Sequence, residues 1–196
     1  EIWVPSLAAK KSCENSGVIK PVKVAPHSLD ASIYSQKDET IIPEIDSTFN
    51  FIFIGEFIER KNIEALIKAF HIEFSPQEPV NLIIKTSKAD IDMFREYIEN
   101  IKMKLKTRRK YKSEIYMIGM MDKDQYIGLI SKCHRFVMPS DWQEINLKEL
   151  CSTMRKSYLK WNSEEEKDLR QRAKDSSKKY DHATMGHKLK GLLNDS

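Results

Sequence analysis

The sequence predicts an α/β fold, a Rossmann-like, doubly wound parallel sheet that is followed by C-terminal helices. Two observations lead to this fold class. From residue 49 onward, short apolar runs alternate with segments whose apolar residues recur every three or four positions, as in successive βαβ units. The run 49–54 (FNFIFI) carries β-branched and aromatic residues at both odd and even positions, which is typical of a strand buried on both faces of a parallel sheet.

The alternation assigns the elements in order along the chain. An early run at 22–25 is a candidate for an additional edge strand, and the main strands are predicted at 49–54, 81–86, 114–118 and 135–138. Helices are predicted between these strands at 62–74, 90–106 and 123–133. After residue 140 the alternation stops, and apolar stripes predict three helices, at 146–161, 163–180 and 183–193.

Composition limits the class of protein. The 196 residues are 40% hydrophobic and 32% charged with a formal net charge of +4, which indicates a folded globular chain and gives no sign of a nucleic-acid binder. The three cysteines are widely spaced, so neither a disulfide framework nor a zinc site is predicted, and a reducing, cytoplasmic location fits best. No apolar stretch approaches the roughly 20 residues that span a bilayer. Because the chain opens at Glu1 on a strand-like segment, EIWVP, we expect it to be a fragment.

The segment 55–62 (GEFIERKN) joins the first main strand to the helix predicted from residue 62. Gly55 leaves room for close approach of a ligand to the backbone, and Arg60 and Lys61 stand at the predicted helix start, where free N–H groups and the helix dipole already favour an anion. Two cations at that point predict a pyrophosphate site. The alternative is a surface pair without function, which the dipole disfavours.

Further candidates follow the other strands at the same edge. Lys85 and Thr86 end the second main strand, on the carboxyl edge where open α/β sheets bind ligands, so they are candidates for a phosphate or sugar contact. A lysine that merely leaves the sheet is an equal alternative. His134 is interpreted as a packing residue, because no third metal ligand stands near it and Cys133. The basic run 102–112 (KMKLKTRRKYK) is interpreted as the solvated end of a helix, with a binding patch as the alternative.

Several phrases, in this order and spacing, resemble the carboxy-terminal, donor-binding domain of retaining GT-B glycosyltransferases, the group one family. IWVPS at 2–6 resembles the last strand of the family's first domain, and SGV at 16–18 with PVKVAPHSLD at 21–30 resembles the interdomain crossover. GEFIERKN with IKAF at 67–70 is similar to the glycine loop and the Arg-Lys helix start. YIGLISKCHRFVMPS at 126–140 resembles the helix and strand before the family's Pro-Ser turn.

The resemblance implies a domain organisation and an activity. Residues 1–47 would be the end of a first domain and the crossover, 48–145 the nucleotide-sugar-binding Rossmann-like domain, and 146–196 C-terminal helices. The implied reaction transfers a sugar from a nucleotide-sugar donor, with retention and without a metal ion or other cofactor, to an unknown sugar, lipid or protein acceptor. That acceptor would be held by an N-terminal domain that this chain does not include. A peripheral contact with the cytoplasmic face of a membrane is compatible with this reading, and no nucleic-acid partner is expected.

The resemblance also implies roles for particular residues. Arg60 and Lys61 would stabilise the charge that develops on the departing diphosphate. One departure is Glu56, which stands where many family members have an arginine, so Arg60 is the expected substitute. The positions implied to contact the donor are Gly55, Glu56, Asn62, Lys85, Thr86, Met117, Gly119, Ser140 and Glu144, with the backbone of 117–120 expected along the nucleobase.

The family's strongest motif, two glutamates with seven residues between them and glycines around the first, is missing after Pro139 and Ser140. No glycine occurs between Gly128 and Gly186, and 142–158 resembles a later part of the family. We therefore hypothesise that residues are missing between Ser140 and Asp141. Two other readings remain open: a non-catalytic nucleotide-binding or interaction module of the same fold, and a protein that binds anionic surfaces through 102–112.

Overall fold

A computed structural model describes residues 1–30, 32–33, 45, 48–87, 90–105, 111–112, 114–139 and 145–194. The chain forms two compact units, Lys37–Ser163 and the combination of Glu1–Gln36 with Glu164–Ser196, which are described separately. The domain limits expected at 47 and 145 stay a prediction.

The larger unit is an α/β sheet domain. Its strands are β3 (Phe49–Ile54), β4 (Val80–Thr86), β5 (Ile115–Ile118) and β6 (Arg135–Phe136). Its helices are α2 (Ile63–Glu73), α3 (Ile91–Lys104), α4 (Lys123–Ser131) and α5 (Leu147–Lys160), and a 3-10 helix (Glu59–Lys61) precedes α2. All strand pairs are parallel, and the order across the sheet is β5-β4-β3-β6. The predicted fold class, a Rossmann-like α/β sheet followed by helices, is confirmed.

The strand order reverses at β3. The chain first adds β4 and β5 on one side of β3 and then crosses to add β6 on the other side, where Ile52 pairs with Phe136. In doubly wound sheets such a reversal opens a crevice at the carboxyl ends of the two strands concerned. The ends of β3 and β6 therefore mark the place where this fold offers a ligand site.

The two faces of β3 pack into separate apolar clusters. Phe49, Phe51 and Phe53 project to one face and pack with α2, α3 and α5, while Ile52 projects to the other face and packs with Leu129 of α4. Full burial of one such side chain is worth about 1.5–3 kcal/mol. Burial on both faces is what the uninterrupted apolar run 49–54 predicts.

Helix starts in this unit are set by short polar side chains. Asp90 accepts hydrogen bonds from the N–H groups of Asp92 and Met93, and Asn146 accepts one from Glu149. Asp122 and Gln125 form a reciprocal capping box at the start of α4. The observed bounds of these helices lie within two residues of those predicted.

The amino edge of the sheet is held by a buried amide network. The Asn50 side chain donates to the carbonyls of Ile45 (2.7 Å) and Lys132 (3.0 Å) and accepts from Asn81 (3.1 Å). The Asn50 N–H donates to His134 Nδ1 at 3.0 Å. The His134 ring stacks on Phe49 and meets Trp161 edge-on, so this histidine is a packing residue.

The smaller unit contains a separate two-stranded sheet. Its strands β1 (Ile2–Val4) and β2 (Val22–Val24) are parallel and joined by helix α1 (Leu7–Asn15). It also contains α6 (Glu164–Ser177), a 3-10 helix (Lys178–Tyr180) and α7 (His182–Asn194). The prediction that 22–25 adds an edge strand to the main sheet is therefore wrong, because these residues pair with β1. Helix α1 was not predicted, and it has no buried residue to produce an apolar stripe.

A buried polar cluster joins α2, α3 and β5 on one side of the sheet. His71 and Lys102 both contact the carboxylate of Glu114, the latter at 2.9 Å, and Tyr116 donates to it at 3.0 Å. Lys102 also donates to Glu99 Oε1 at 2.8 Å. Lys102 thus belongs to the core and not to a solvated basic run, whereas 106–110 lie outside the described residues.

The pKa of the Glu114 carboxyl reflects this arrangement. Burial raises it, but the hydrogen bonds from His71 and Lys102 outweigh burial and hold the pKa below its usual range. The pKa of Lys102 is raised, because its hydrogen bonds to Glu99 and Glu114 outweigh the opposite effect of burial. Glu114 and Lys102 therefore form a buried pair of opposite charges in the folded protein near neutral pH.

We expect Glu114→Gln to lower the free energy of unfolding by about 3 kcal/mol at pH 7, because it leaves the buried Lys102 with the exposed Glu99 as its one carboxylate partner among the described residues. Since folding depresses the Glu114 pKa, its contribution is complete above the unfolded value of about 4.3 and is lost as the pH falls through the folded value.

The difference in unfolding free energy between wild type and Glu114→Gln should accordingly shrink below about pH 4, as measured by urea unfolding across a pH series. The exposed Glu96→Gln serves as control and should change little at any pH. A difference that stays constant down to pH 2 would show that Glu114 does not act through its charge.

Candidate functional site

The carboxyl ends of the four parallel strands meet at one edge of the sheet. Gly55 follows β3, Ser87 follows β4, Gly119 follows β5, and Val137 to Pro139 follow β6. The expectation that Gly55, Lys85, Thr86 and Gly119 lie at a common edge therefore agrees with the structure. Whether they bind a donor stays a prediction.

The loop after β3 places its cations just before α2 and not within it. Arg60 and Lys61 belong to the 3-10 turn, and α2 begins at Ile63. Asn62, which lies between the 3-10 turn and α2, has a left-handed conformation (φ 44°, ψ 48°), and its side chain accepts a hydrogen bond from the N–H of Ala65 at 3.2 Å. Asparagine tolerates this conformation better than most residues and is a strong N-cap, so Asn62 has a structural role here.

Lys61 crosses the carboxyl edge from β3 toward β6. A Cβ on Gly55 would lie 3.6 Å from both Cδ and Cε of Lys61, so the lysine stem runs directly along this glycine. The Lys61 ammonium lies 2.9 Å from the sulfur of Met138, beyond the end of β6. A thioether is a weak acceptor. Lys61 makes no ion pair within the described part of the chain, so its charge is available at the point where the strand order reverses.

Arg60 and Glu56 are both exposed at this loop. Neither makes a side-chain hydrogen bond or ion pair with the residues that the structure describes. Of the two cations predicted from the sequence, only Lys61 is directed across the carboxyl edge by a contact with the opposite strand.

A second cation is buried between the ends of β4 and β5. Lys85 is 5% exposed, and its ammonium donates to the carbonyls of Gly119 (2.6 Å) and Thr86 (3.2 Å). The Gly119 N–H donates back to the Thr86 carbonyl at 3.1 Å. Burial lowers the pKa of Lys85, and both of its partners are neutral carbonyls. The buried Thr86 hydroxyl has no hydrogen-bond partner among the described residues.

A pocket of about 230 Å³ opens beside these groups. Gly55, Glu56 and Lys85 line it from the strand ends, and Met121 and Tyr126 line it from α4 and the segment before it. Met121, Tyr126 and Met138 were not among the predicted site residues. For Met138, the one sequence feature that could have indicated a place at the site is its position at the end of the apolar run after Cys133.

The remaining predicted positions divide into two groups. Met117 packs against the apolar cluster around Ile52 and Ile83 and is partly buried there, while its backbone lies on β5 next to Lys85. Ser140, Glu144 and the 140–141 junction lie outside the described residues. In the described ranges, no three His, Cys, Asp or Glu residues are grouped as a metal site, and no helix has the length and apolar composition to cross a membrane.

No protein-family model matches the sequence, and no curated protein does. Among solved structures, a chain of the GtfA/B complex is similar, with a TM-score of 0.58 and 14% identity over 98% of this chain and 44% of that one. This likeness establishes a shared fold. At such an identity it says nothing about activity.

Two other solved structures are similar at lower scores. The C-terminal domain of a glycosyl transferase group 1 family protein (LpcC) from Francisella tularensis has a TM-score of 0.43 and 11% identity, over 63% of this chain and 65% of that one. The trehalose-6-phosphate synthase OtsA has a TM-score of 0.42 and 16% identity, over 71% of this chain and 34% of that one. The chain spans less than two thirds of the length of each of these three proteins.

We expect Gly119→Ala to lower the free energy of unfolding by about 1–3 kcal/mol, because Gly119 has φ 95° and an L side chain is strained there although nothing blocks a Cβ sterically. Gly186→Ala is the matched control, since a Cβ there also meets nothing but the residue lies inside α7. That change should be neutral or stabilise by about 0.5–1 kcal/mol in urea unfolding. Equal stability of the Gly119→Ala variant and wild type would contradict the strain argument.

Proposed function

We propose that the chain is the donor-binding part of a glycosyltransferase and that it holds the diphosphate of a nucleotide sugar where the ends of β3 and β6 meet. The observation that carries the proposal is the course of Lys61, whose stem follows Gly55 and whose ammonium reaches Met138 without a carboxylate partner among the described residues. An anion bound there would meet the Lys61 charge and the start of α2.

The proposed chemistry follows from the leaving group. When the bond between sugar and diphosphate breaks, negative charge grows on the diphosphate, and a cation already in place stabilises the transition state more than the ground state. Lys61 is assigned this role, and Arg60, exposed one residue earlier, is assigned a supporting one. Retention at the sugar, the lack of a metal requirement and an acceptor held by a separate domain are further parts of the proposal.

We place the nucleoside end of the donor in the 230 Å³ pocket beside Lys85 and Tyr126. Lys85 adds a cation whose hydrogen bonds go to neutral carbonyls, so it favours an anionic ligand near Gly55. Gly119, whose carbonyl accepts from Lys85, and Met117, which pairs with Lys85 in the sheet, are assigned backbone contacts with the donor at the end of β5.

Lys61→Ala tests the assignment. We expect at least one of UDP, GDP and ADP to bind the wild-type chain in calorimetry and to raise its thermal midpoint. Lys61→Ala should weaken that binding tenfold or more, about 1.4 kcal/mol, because the cation at the diphosphate is lost. Lys104→Ala is the control, since Lys104 is an exposed lysine in the last turn of α3 and so lies at the opposite edge of the sheet. The proposed site would be refuted if wild type bound none of the three diphosphates, or if Lys61→Ala bound the diphosphate as tightly as Lys104→Ala.

Arg60→Ala should weaken the same binding less than Lys61→Ala does. The reason is geometric, because Arg60 is exposed and has no contact that directs it across the sheet edge, whereas Lys61 is anchored between Gly55 and Met138. Calorimetry on the two variants side by side measures the difference. A larger loss from Arg60→Ala would transfer the principal role to the arginine.

A further inference from the structure

A concave apolar surface lies on the other side of the 55–62 loop from the Lys61 ammonium. It is a pocket of about 580 Å³ between the segment 56–59, the first turn of α2 and the first two turns of α3. Its floor includes the buried Ile63 and Phe94. Three large apolar side chains on its walls are left in contact with solvent: Ile58 is 43% exposed, Met93 65% and Tyr97 42%. Contiguous exposed apolar surface of this kind marks an interaction site more often than a single exposed residue does.

The rim of this pocket is acidic. Glu56, Glu59 and Glu64 all line it. Among the nearby cations, Lys61 contacts Met138 and Arg95 lies over the Tyr116 ring at 6.0 Å, whereas Lys68 pairs with Glu64 at 2.5 Å and compensates that carboxylate. Glu56 and Glu59 make no ion pair with any residue that the structure describes. The pocket therefore combines an apolar floor with uncompensated negative charge at its mouth.

We propose that this pocket, lined by Ile58, Met93 and Tyr97 with Glu56 and Glu59 at its rim, is a docking site for a basic amphipathic segment of a partner protein. A large apolar side chain of the partner would enter between Met93 and Tyr97. Lysine or arginine residues on either side of it would meet the two glutamates. Apolar anchors in pockets with charged residues at the rim are the usual arrangement of peptide-binding grooves.

The negative charge of Glu56 and Glu59 disfavours anionic ligands in this pocket. A diphosphate would be repelled by Glu56 and Glu59, and so would an anionic membrane surface. The docking proposal does not rest on the donor site, because Ile58, Met93, Tyr97 and Glu59 do not line the pocket beside Lys85, although Glu56 lines both pockets.

The test uses two synthetic probes. One is a fluorescein-labelled amphipathic peptide of lysine, leucine and tryptophan, and the other has glutamate in place of every lysine. We expect the basic peptide to bind the whole chain in fluorescence anisotropy and the acidic peptide to bind at least tenfold more weakly. Met93→Asp and Glu59→Lys should each weaken binding of the basic peptide about tenfold.

Two matched variants control for general surface effects. Met103→Asp changes a methionine on the same helix with a similar exposure, 68%, and Glu96→Lys reverses an exposed charge outside the pocket. Neither should alter binding by more than about twofold. Thermal unfolding establishes that each variant is folded.

Several results would overturn the proposal. They are equal binding of both peptides, no binding of the basic one, or losses from the control variants equal to those from Met93→Asp and Glu59→Lys. If the chain associates with itself and Met93→Asp abolishes that association, the surface is assigned to a second copy of this chain instead. Binding to vesicles of phosphatidylserine that depends on Met93 would assign it to a membrane.

Discussion

The structure of the sheet unit depends on the parallel pairing of β3 with strands on both sides. β3 pairs with β4 over six positions and with β6 over two, and its two faces belong to different apolar clusters. Because β3 is the strand at which the strand order reverses, its carboxyl end coincides with the crevice of the fold. The location of Gly55, and with it the course of Lys61, follows from this one position in the sheet.

The polar groups at the two edges of the sheet differ in how completely the protein satisfies them with hydrogen bonds and ion pairs. At the amino edge, the side chains of Asn50, Asn81 and Thr48 bond mainly to one another and to backbone carbonyls. At the carboxyl edge, Lys61 contacts a thioether, Lys85 contacts neutral carbonyls, and the Thr86 hydroxyl has no partner in the described ranges. Polar groups that are satisfied internally hold an edge together, whereas incompletely compensated ones favour a ligand. This asymmetry supports placing the donor at the carboxyl edge.

The loop 55–62 separates two surfaces of opposite character. On one side it presents Lys61 at the crevice between β3 and β6, and on the other it presents Glu56 and Glu59 at the mouth of an apolar pocket. Glu56 had been expected on the donor side, and it in fact lines both pockets. One short segment can line two surfaces because it combines a 3-10 turn with a left-handed residue, Asn62, so that successive side chains point in different directions.

The amino-acid sequence by itself determined the fold class, the order of strands and helices in 49–160 and the edge at which candidate residues gather. These features follow from hydrophobic periodicity and from the rule that parallel strands share a carboxyl edge. Only the tertiary structure decided that 22–25 pairs with β1, that Lys102 is buried with Glu114, and that Lys61 reaches Met138. Each of these facts joins residues far apart in the chain, or on different elements, and periodicity describes one element at a time. For the same reason, the apolar pocket beside the loop, built from three separate segments, could not be predicted from the sequence.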